Sequence, residues 1–428
     1  MCFQMSNPVP YRAQLGNLRV FQPGADDKLA TIMAVRAAFG MLGDVELDRE
    51  HLRPDERRLS VADGDTIIGG CFAYAYRMSL PGGADVPVAG LAGVGVSPDA
   101  QGRGAFRPLL EGHIKQSAAL GDAASILMAS ESGLYGRFGY GQATDMAVWQ
   151  LDVRDFALQS GFETAAGRML LLDNAEDTIA RVAPVHEAAC RRRGGDVLRD
   201  AEWWPLVLGA AKRSWFGGGP QFVAAWENPA GELDAYALYV LEDVADDAGQ
   251  PGTPANRLTI RELVARSVDA ETALFAALCR VSWVREVVWE LAPVDPPVKH
   301  RMTDPRQLRQ HRRLDMSWLR PLDPAALLTG RHYLSDGQVV IDYSDPVLPS
   351  RSGVMELTVK DGVPSVSPAD PTPEAVSLRP DTLGQLVLGG TRVLELVESG
   401  HVTGSVAALR ALDRLLLTER APFNLTKF

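Results

Sequence analysis

Cysteine is scarce and scattered in this chain. Cys2, Cys71, Cys190 and Cys279 are the only four among 428 residues, too far apart for a paired metal-ligand motif or a compact disulfide framework. That excludes a disulfide-stapled secreted scaffold, and a reducing, cytoplasmic setting with no metal centre is expected. No apolar run is long enough to span a bilayer. The opening MCFQMSNPVPYRAQLGN has no basic start followed by an apolar core, so no signal peptide is expected. Positive charge is also short: 43 Lys and Arg face 54 Asp and Glu, a net charge of −11. This balance speaks against nucleic acid as a partner and suits a cationic one. Apolar content is ordinary, 46%, enough for a sizeable core, and the length predicts two or three domains.

The most informative stretch is 91–141, LAGVGVSPDAQGRGAFRPLLEGHIKQSAALGDAASILMASESGLYGRFGYG. An apolar strand ends in Val94-Gly95-Val96. The glycine-rich turn Gln101-Gly102-Arg103-Gly104 opens a helix expected to reach about Leu120. A second buried strand, 126–129, leads to Ser130 and a short segment carrying Tyr135. Strand, glycine turn and helix N-terminus together make an anion site. Backbone N–H groups point out of the turn, the helix dipole adds partial positive charge, and Arg103 adds a full one. A pyrophosphate suits this spot. Upstream, 18–21 predicts a strand, and LATIMAVRAAF predicts a helix with Asp26 or Asp27 as its cap. Residues 57–62 and 66–77 predict a hairpin across Asp63-Gly64-Asp65. Downstream, 146–153 returns as a strand.

That order of elements resembles the fold of the GNAT superfamily of N-acetyltransferases. The resemblance rests on Val94-Gly95-Val96 followed by Gln101-Gly102-Arg103-Gly104, close to the superfamily's Q/R-x-x-G-x-G/A signature, with Phe106 where the signature has Gly or Ala. The segment 129–141, ASESGLYGRFGYG, is far more specific. It resembles the A-S-E-x-x-I/L-Y-G-R-F-G-Y-G segment of the enhanced-intracellular-survival (Eis) family, which are acetyl-CoA-dependent aminoglycoside N-acetyltransferases. The resemblance implies acetyl-CoA as the acetyl donor, entering where two parallel strands separate near Val96 and Ser130. The pantetheine arm would bond the backbone of Val94, Gly95 and Val96 like an added strand. The pyrophosphate would lie beside Gln101 on the N–H groups of Gly102, Arg103, Gly104 and Ala105, and an N–H near Val94 would face the thioester oxygen.

Amine acetylation needs a base for the attacking ammonium and an acid for the leaving thiolate. Tyr135 is a candidate acid, with an unperturbed pKa of about 10, and Tyr140 is a second phenol close by. Glu131, His51 and His113 are candidate bases in the same domain. The resemblance selects Tyr135 as the acid. As base it implies the chain's own terminal carboxylate, at Phe428, delivered to the first domain by the last. Phe39 and Gly93 are expected to line the acceptor pocket, with Gly93 and Ala92 leaving extra room beside the thioester. Asp44 and Glu46 are acidic candidates just beyond.

The middle of the chain reads as a second, worn copy of the first. Residues 222–226, the turn Asn228-Pro229-Ala230-Gly231 and 235–241 repeat the hairpin, and 258–265 repeats the strand. Ser267-Val268-Asp269-Ala270-Glu271 falls in register with Ser97-Pro98-Asp99-Ala100-Gln101. Where the first copy has Gly102-Arg103-Gly104, the second has Thr272-Ala273-Leu274, so only the first is expected to bind phosphate. After the linker Val294-Asp295-Pro296-Pro297, strands at 337–343, 353–360 and 364–367 and helices at 379–388 and 403–416 make an α+β tail. It resembles the sterol-carrier-protein-like domain that closes the Eis architecture, a fold name that does not imply lipid transfer.

The expected fold class is α/β and α+β: a catalytic GNAT-type domain at 1–155 and a degenerate one at 156–298, each a mixed, splayed sheet flanked by helices, then a sterol-carrier-protein-like domain at 299–428. The expected activity is acetyl transfer to one or more amines of a polycationic small molecule, aminoglycosides by the resemblance. The alternatives are a protein-lysine or polyamine acetyltransferase, and a non-catalytic CoA- or lipid-binding regulator. No membrane partner is expected, and the resemblance implies a hexamer.

Overall fold

The computed structural model describes residues 11–41, 54–162, 165–173, 176–208, 221–243 and 256–428. Cys2, Asp44, Glu46 and His51 lie outside them. Among the described residues, thirteen strands form one sheet. In chain order these are β1 (Arg12–Leu15), β2 (Leu18–Phe21), β3 (Arg58–Asp63), β4 (Thr66–Ser79), β5 (Asp85–Val96), β6 (Ala124–Leu127), β7 (Gly141–Asp152), β8 (Arg168–Leu172), β9 (Phe222–Glu227), β10 (Leu233–Asp243), β11 (Asn256–Ala265), β12 (Val284–Ala292) and β13 (Arg309–Pro321). Across the sheet they run β1-β2-β3-β4-β5-β6-β13-β7-β12-β11-β10-β9-β8.

Only two neighbouring pairs are parallel, β5 with β6 and β11 with β12. Each half therefore follows one plan: an antiparallel meander that ends in a parallel pair. The pair is joined in the first half by the helix Phe106–Ala119 and in the second by the helix Val268–Leu278. A parallel pair needs such a crossover, because a tight turn cannot return the chain in the same direction. The halves join where β7 pairs with β12. β13 lies past residue 298 in sequence, yet it belongs to this sheet, wedged antiparallel between β6 and β7.

The last part of the chain builds its own sheet from β14 (Gly337–Tyr343), β15 (Gly353–Lys360), β16 (Val363–Pro368) and β17 (Val376–Leu378), ordered β16-β15-β14-β17. Asp361 (φ 52°) and Gly362 (φ 74°) both sit in the left-handed region, as a two-residue hairpin turn between β15 and β16 requires. The expected helix before the hairpin runs over Ala25–Ala38, but neither expected cap performs that job. Gly24 is the N-cap, and Asp26 and Asp27 fall in the first turn, where a carboxylate favours the helix dipole without capping. No helix among the described residues is long and apolar enough to cross a membrane.

The largest buried cluster draws on all three parts of the chain. It joins Tyr74, Tyr76 and Met78 of β4 to Trp203, Trp204 and Tyr236 of the second half, and to Leu383, Leu386, Phe423, Leu425 and Phe428 of the last part. The chain end is thus core, not fringe.

Candidate active site

The site begins where two strands part. β5 pairs with β6 at Val88–Ala124, Ala89–Ser125 and Gly90–Ile126 and no further. Beyond Gly90, β5 continues to Val96 against β4 alone. Its register on β4 slips there: Phe72 faces Ala92 and Gly70 faces Gly95, so Gly93 and Val94 together stand opposite Cys71. This is a β-bulge, which bends its strand and frees backbone groups from the ladder. Gly93 carries φ 55°, a conformation that a side chain would oppose. The cleft so formed is bounded by the helix Ala25–Ala38. A Cβ on Gly95 would lie 2.8 Å from the Ala38 Cβ, and Phe39, half-exposed, caps the end of that helix.

The extra room expected beside Gly93 is not there, because a Cβ added to Gly93 would collide with the Phe72 ring. The glycine is needed for the bulge and for this close approach. Ala92 and Val94 are partly buried, as is Val96.

The glycine turn is built as expected. Gln101, Gly102, Arg103 and Gly104 are exposed. Gly102 (φ 79°) and Gly104 (φ 81°) are left-handed, with no other group within 4 Å of where a Cβ would stand. The helix that follows has Ala105 as N-cap and no side-chain cap, so its first N–H groups remain available to an acceptor. Arg103 does not project its charge freely. It bonds Asp63 of the β3–β4 turn at 3.0 Å and the Asp99 carbonyl at 2.9 Å. Phe106, the departure from the superfamily signature, packs its ring on Tyr135 (6.2 Å between centroids) and Phe138 (5.8 Å). The larger residue fills space against the loop that carries the candidate acid.

Tyr135 ends the short helix Ser132–Tyr135 and is buried, with 6% of its surface exposed. Burial raises its pKa, and a hydrogen bond with Ser130 pulls the other way. Ser130 and Glu131 are exposed at the start of that helix. Tyr140, by contrast, is fully enclosed. Its hydroxyl meets Ser125 Oγ at 2.8 Å, and Ser125 meets His113 Nε2 at 2.8 Å. Burial, with the Arg57 and Arg320 charges, lowers the His113 pKa to about 3. His113 is therefore a neutral core group and not a ready base.

The glycines of the 129–141 segment have a role that the sequence did not disclose. Gly139 is left-handed (φ 88°) and lies against Pro380, while Gly141 sits under the backbone of Asp381. Both let the helix Pro380–Leu386 dock on the first half. The buried pair Arg320–Asp345 (2.7 Å) ties the same loop down, with Arg320 Nε donating to the Phe138 carbonyl.

Phe428 reaches the point where β5 and β6 part. Its ring lies 5.3 Å from that of Tyr76 and 6.3 Å from that of Tyr74, and a Cβ on Gly90 would stand 3.2 Å from Phe428 Cε2. Phe72, Tyr74 and Tyr76 belong to this site and were missed in the sequence. Their alternation along β4 was the available signal, since every second residue of a strand shares a face. Trp203 also packs on Tyr74 and Tyr76, and nothing local in the sequence points to it.

Comparison with known proteins agrees with this architecture. Residues 24–143 match a family described as an acetyltransferase (GNAT) domain, 195–321 match a second acetyltransferase (GNAT) domain family, and 324–424 match a sterol carrier protein domain. An uncharacterized N-acetyltransferase of Streptomyces avermitilis is 28% identical over 385 residues, covering 88% of this chain and 89% of its own. The N-acetyltransferase Eis of Mycobacterium tuberculosis is 29% identical over 353 residues, covering 82% of this chain and 83% of its own. The crystal structure of Eis1 from Mycobacterium abscessus superposes with a TM-score of 0.82 at 28% identity, covering 96% of this chain and all of that one. A GCN5-related N-acetyltransferase from Anabaena variabilis shares the fold, with a TM-score of 0.80 at 18% identity.

Proposed function

This chain belongs to the Eis-type N-acetyltransferases of the GNAT superfamily, and we propose that it moves the acetyl group of acetyl-CoA onto amines of a polycationic small molecule, with aminoglycosides as the substrate class. The observation that carries this reading is the junction of Gly90, Tyr76 and Phe428 at the point where β5 leaves β6. It sets the chain end against β5 at the base of the segment that leads through the bulge to the glycine turn.

The residues fit a CoA thioester. Gly102 to Ala105 offer N–H groups for the pyrophosphate, with Gln101 and Arg103 at the rim. Gly95 and Val96 offer an unpaired strand edge for the pantetheine amides, with Ser130 across the gap. The donor supplies the acetyl group and a thiolate leaving group. The Val94 N–H, at the bulge in β5, stabilises the oxyanion of the tetrahedral intermediate. The Phe428 carboxylate takes a proton from the attacking ammonium, and Tyr135 gives one to the departing sulfur. A raised phenol pKa suits that role, because it keeps the proton in place until a thiolate forms. Phe39 and Gly93 form the walls on the acceptor side. We place the enzyme in the cytoplasm as a homo-oligomer, a hexamer by the family resemblance, with a first domain limit near 155; the second, expected near 298, moves past β13, which belongs to the large sheet.

Thiol release from acetyl-CoA, followed with no acceptor, an aminoglycoside, spermidine and a lysine peptide, tests this reading. Turnover confined to the aminoglycoside, with acetylated product seen by mass spectrometry, is expected. Turnover on spermidine or the peptide alone moves the enzyme to the corresponding alternative. No turnover with any amine removes the enzyme reading in favour of a CoA-binding regulator.

A further inference from the structure

Among its described residues the second half has no glycine turn before its crossover helix, yet it keeps a buried polar network from which several bonds reach the last residues of the chain. Asp196 follows the helix Glu176–Arg193. Its Oδ1 accepts from the N–H of Val197 (2.8 Å), the N–H of Leu425 (2.9 Å) and Thr426 Oγ1 (3.4 Å). Its Oδ2 is braced from behind by Cys190 Sγ (3.3 Å) and His186 Nε2 (3.5 Å). Three residues on, Arg199 forms a two-pronged pair with Glu262 of β11 at 2.8 and 2.9 Å, with both side chains almost wholly enclosed. Tyr236 donates to the same carboxylate.

A buried ion pair is seldom more stabilising than apolar groups of the same size, so the destination of its remaining donors is informative. Arg199 Nε donates to Thr426 Oγ1 at 3.0 Å, and Nη2 donates to the Leu425 carbonyl at 3.4 Å. Asn424 closes the grip from the other side, bonding Ser317 of β13 at 2.7 Å and the Thr426 backbone at 3.0 and 3.1 Å. Phe428 lies two residues beyond Thr426, and two residues of extended chain span at most about 7 Å. A displacement at Thr426 is therefore passed on to the terminal carboxylate with little slack.

We propose that Asp196 and the Arg199–Glu262 pair are positioning residues: the second half, having lost its own cofactor turn, serves the first half by fixing where the terminal carboxylate stands. The proposal rests on the reading that this carboxylate is the base. It gives the worn copy a role in the reaction and predicts coupling between sites in different halves of the chain.

The test uses the full chain, native-ended and with a five-residue C-terminal extension, in four forms: unaltered, Asp196→Ala, Asp196→Asn and Thr426→Val. kcat, KM for acetyl-CoA and the unfolding midpoint are measured. In the native-ended protein, Asp196→Ala is expected to lower kcat about tenfold or more, since a misplacement of about 1 Å can cost 10²-fold, with KM for acetyl-CoA little changed. Asp196→Asn keeps an acceptor for the Leu425 N–H and should retain most of kcat. In the extended protein, where the base is already displaced, Asp196→Ala should cause no further loss.

Unchanged kcat in Asp196→Ala overturns the proposal. So do equal losses in the Ala and Asn variants, or losses that multiply across the extension. If Asp196→Ala does not fold, Thr426→Val, which swaps a hydroxyl for a methyl, is judged by the same split and the same non-additivity. Full activity in the extended, otherwise unaltered protein overturns the base reading itself and this proposal with it. A dead extended protein beside an unimpaired Asp196→Ala spares the base and removes only the positioning.

Discussion

The two halves share a plan and differ at one corner. In the first, a single short turn, Pro98–Ala100, and two left-handed glycines separate β5 from its helix, which starts at Phe106 with no side-chain cap. In the second, the helix starts at once at Val268, and Ser267 Oγ accepts from the Ala270 N–H at 3.1 Å. Arg301 covers the same end, bonding Thr272 Oγ1 at 3.2 Å and Asp269 at 2.6 Å. Thr272, Ala273 and Leu274, which align with the glycine turn, are buried inside the helix. One helix end lacks a side-chain cap, and the other satisfies itself. Without the glycines, the second helix extends back over the aligned stretch.

The largest expected effect is at the candidate acid of the first half. Tyr135→Phe keeps the ring that packs on Phe106 and removes the proton. A fall in kcat within about 10²–10⁴-fold is expected, the range for general acid catalysis, with CoA binding nearly intact. Because the Tyr135 pKa is raised, the alkaline limb of the wild-type pH–rate profile should fall above the ordinary phenol value of about 10. The variant should lack that limb. Tyr140→Phe loses only the Ser125 bond and should chiefly lower stability. Equal kcat losses at both positions would mean that packing, not proton transfer, is being read.

The second largest effect separates the two helix ends directly. Gly104→Val forces a branched side chain into a left-handed turn and over the N–H groups, so CoA affinity by calorimetry should fall by about tenfold or more. Leu274, the aligned position, is fully buried, and a change there would report on the core. Asp269→Ala, at the exposed mouth of the second helix, is the cleaner counterpart and should leave CoA affinity as it was. Matching losses would put a working phosphate site in both halves.

A smaller difference lies in what the two helices bury. The first packs through His113, the second through Phe275. His113 has a pKa of about 3 in the fold and about 6.5 unfolded. The unfolded state thus binds a proton that the native state refuses as pH drops below 6.5. Stability is whole above that value and falls toward pH 3, by about 1.4 kcal/mol per pH unit at the steepest. Between pH 7 and 5 the first half should lose roughly 2 kcal/mol on this account, and His113→Gln should flatten that part of the curve. Denaturant midpoints at the two pH values check it; an unchanged slope in the variant rules out His113 as the source.

Much of this was legible because it is local. The first hairpin announced itself through Asp63-Gly64-Asp65, the left-handed turn before the helix through Gly102 and Gly104, and the loop carrying Tyr135 through its 129–141 segment. What stayed hidden depends on distant partners. β13 contributes to the large sheet from far along the chain. Phe72 fills the room expected beside Gly93, Pro380 is the reason for Gly139, and Asp63 takes up the charge of Arg103. None of these follows from a residue's own neighbours in sequence. The cap expected at Asp26 or Asp27 failed for a different reason: acidic residues favour both the cap and the first turn, and sequence alone does not separate the two.

The smallest effect tests the idea that a cap has replaced a ligand. Ser267 supplies in the second half what an anion would supply in the first, an acceptor for the helix's opening N–H groups. Ser267→Ala should therefore cost about 1 kcal/mol of stability, the usual worth of a serine cap, without touching CoA affinity or kcat. Ser97, its aligned partner, spends its hydroxyl on the exposed Asp99 carboxylate and caps no helix. Ser97→Ala should shift the denaturant midpoint of the ligand-free protein by much less. The loss at Ser267 should persist at saturating CoA, since that helix end is already occupied by Ser267 and Arg301, while on the proposed reading the first helix gains its missing acceptor when CoA binds. A Ser97→Ala loss as large as that of Ser267→Ala would show that the first helix is already capped, and that its open end is no preparation for phosphate.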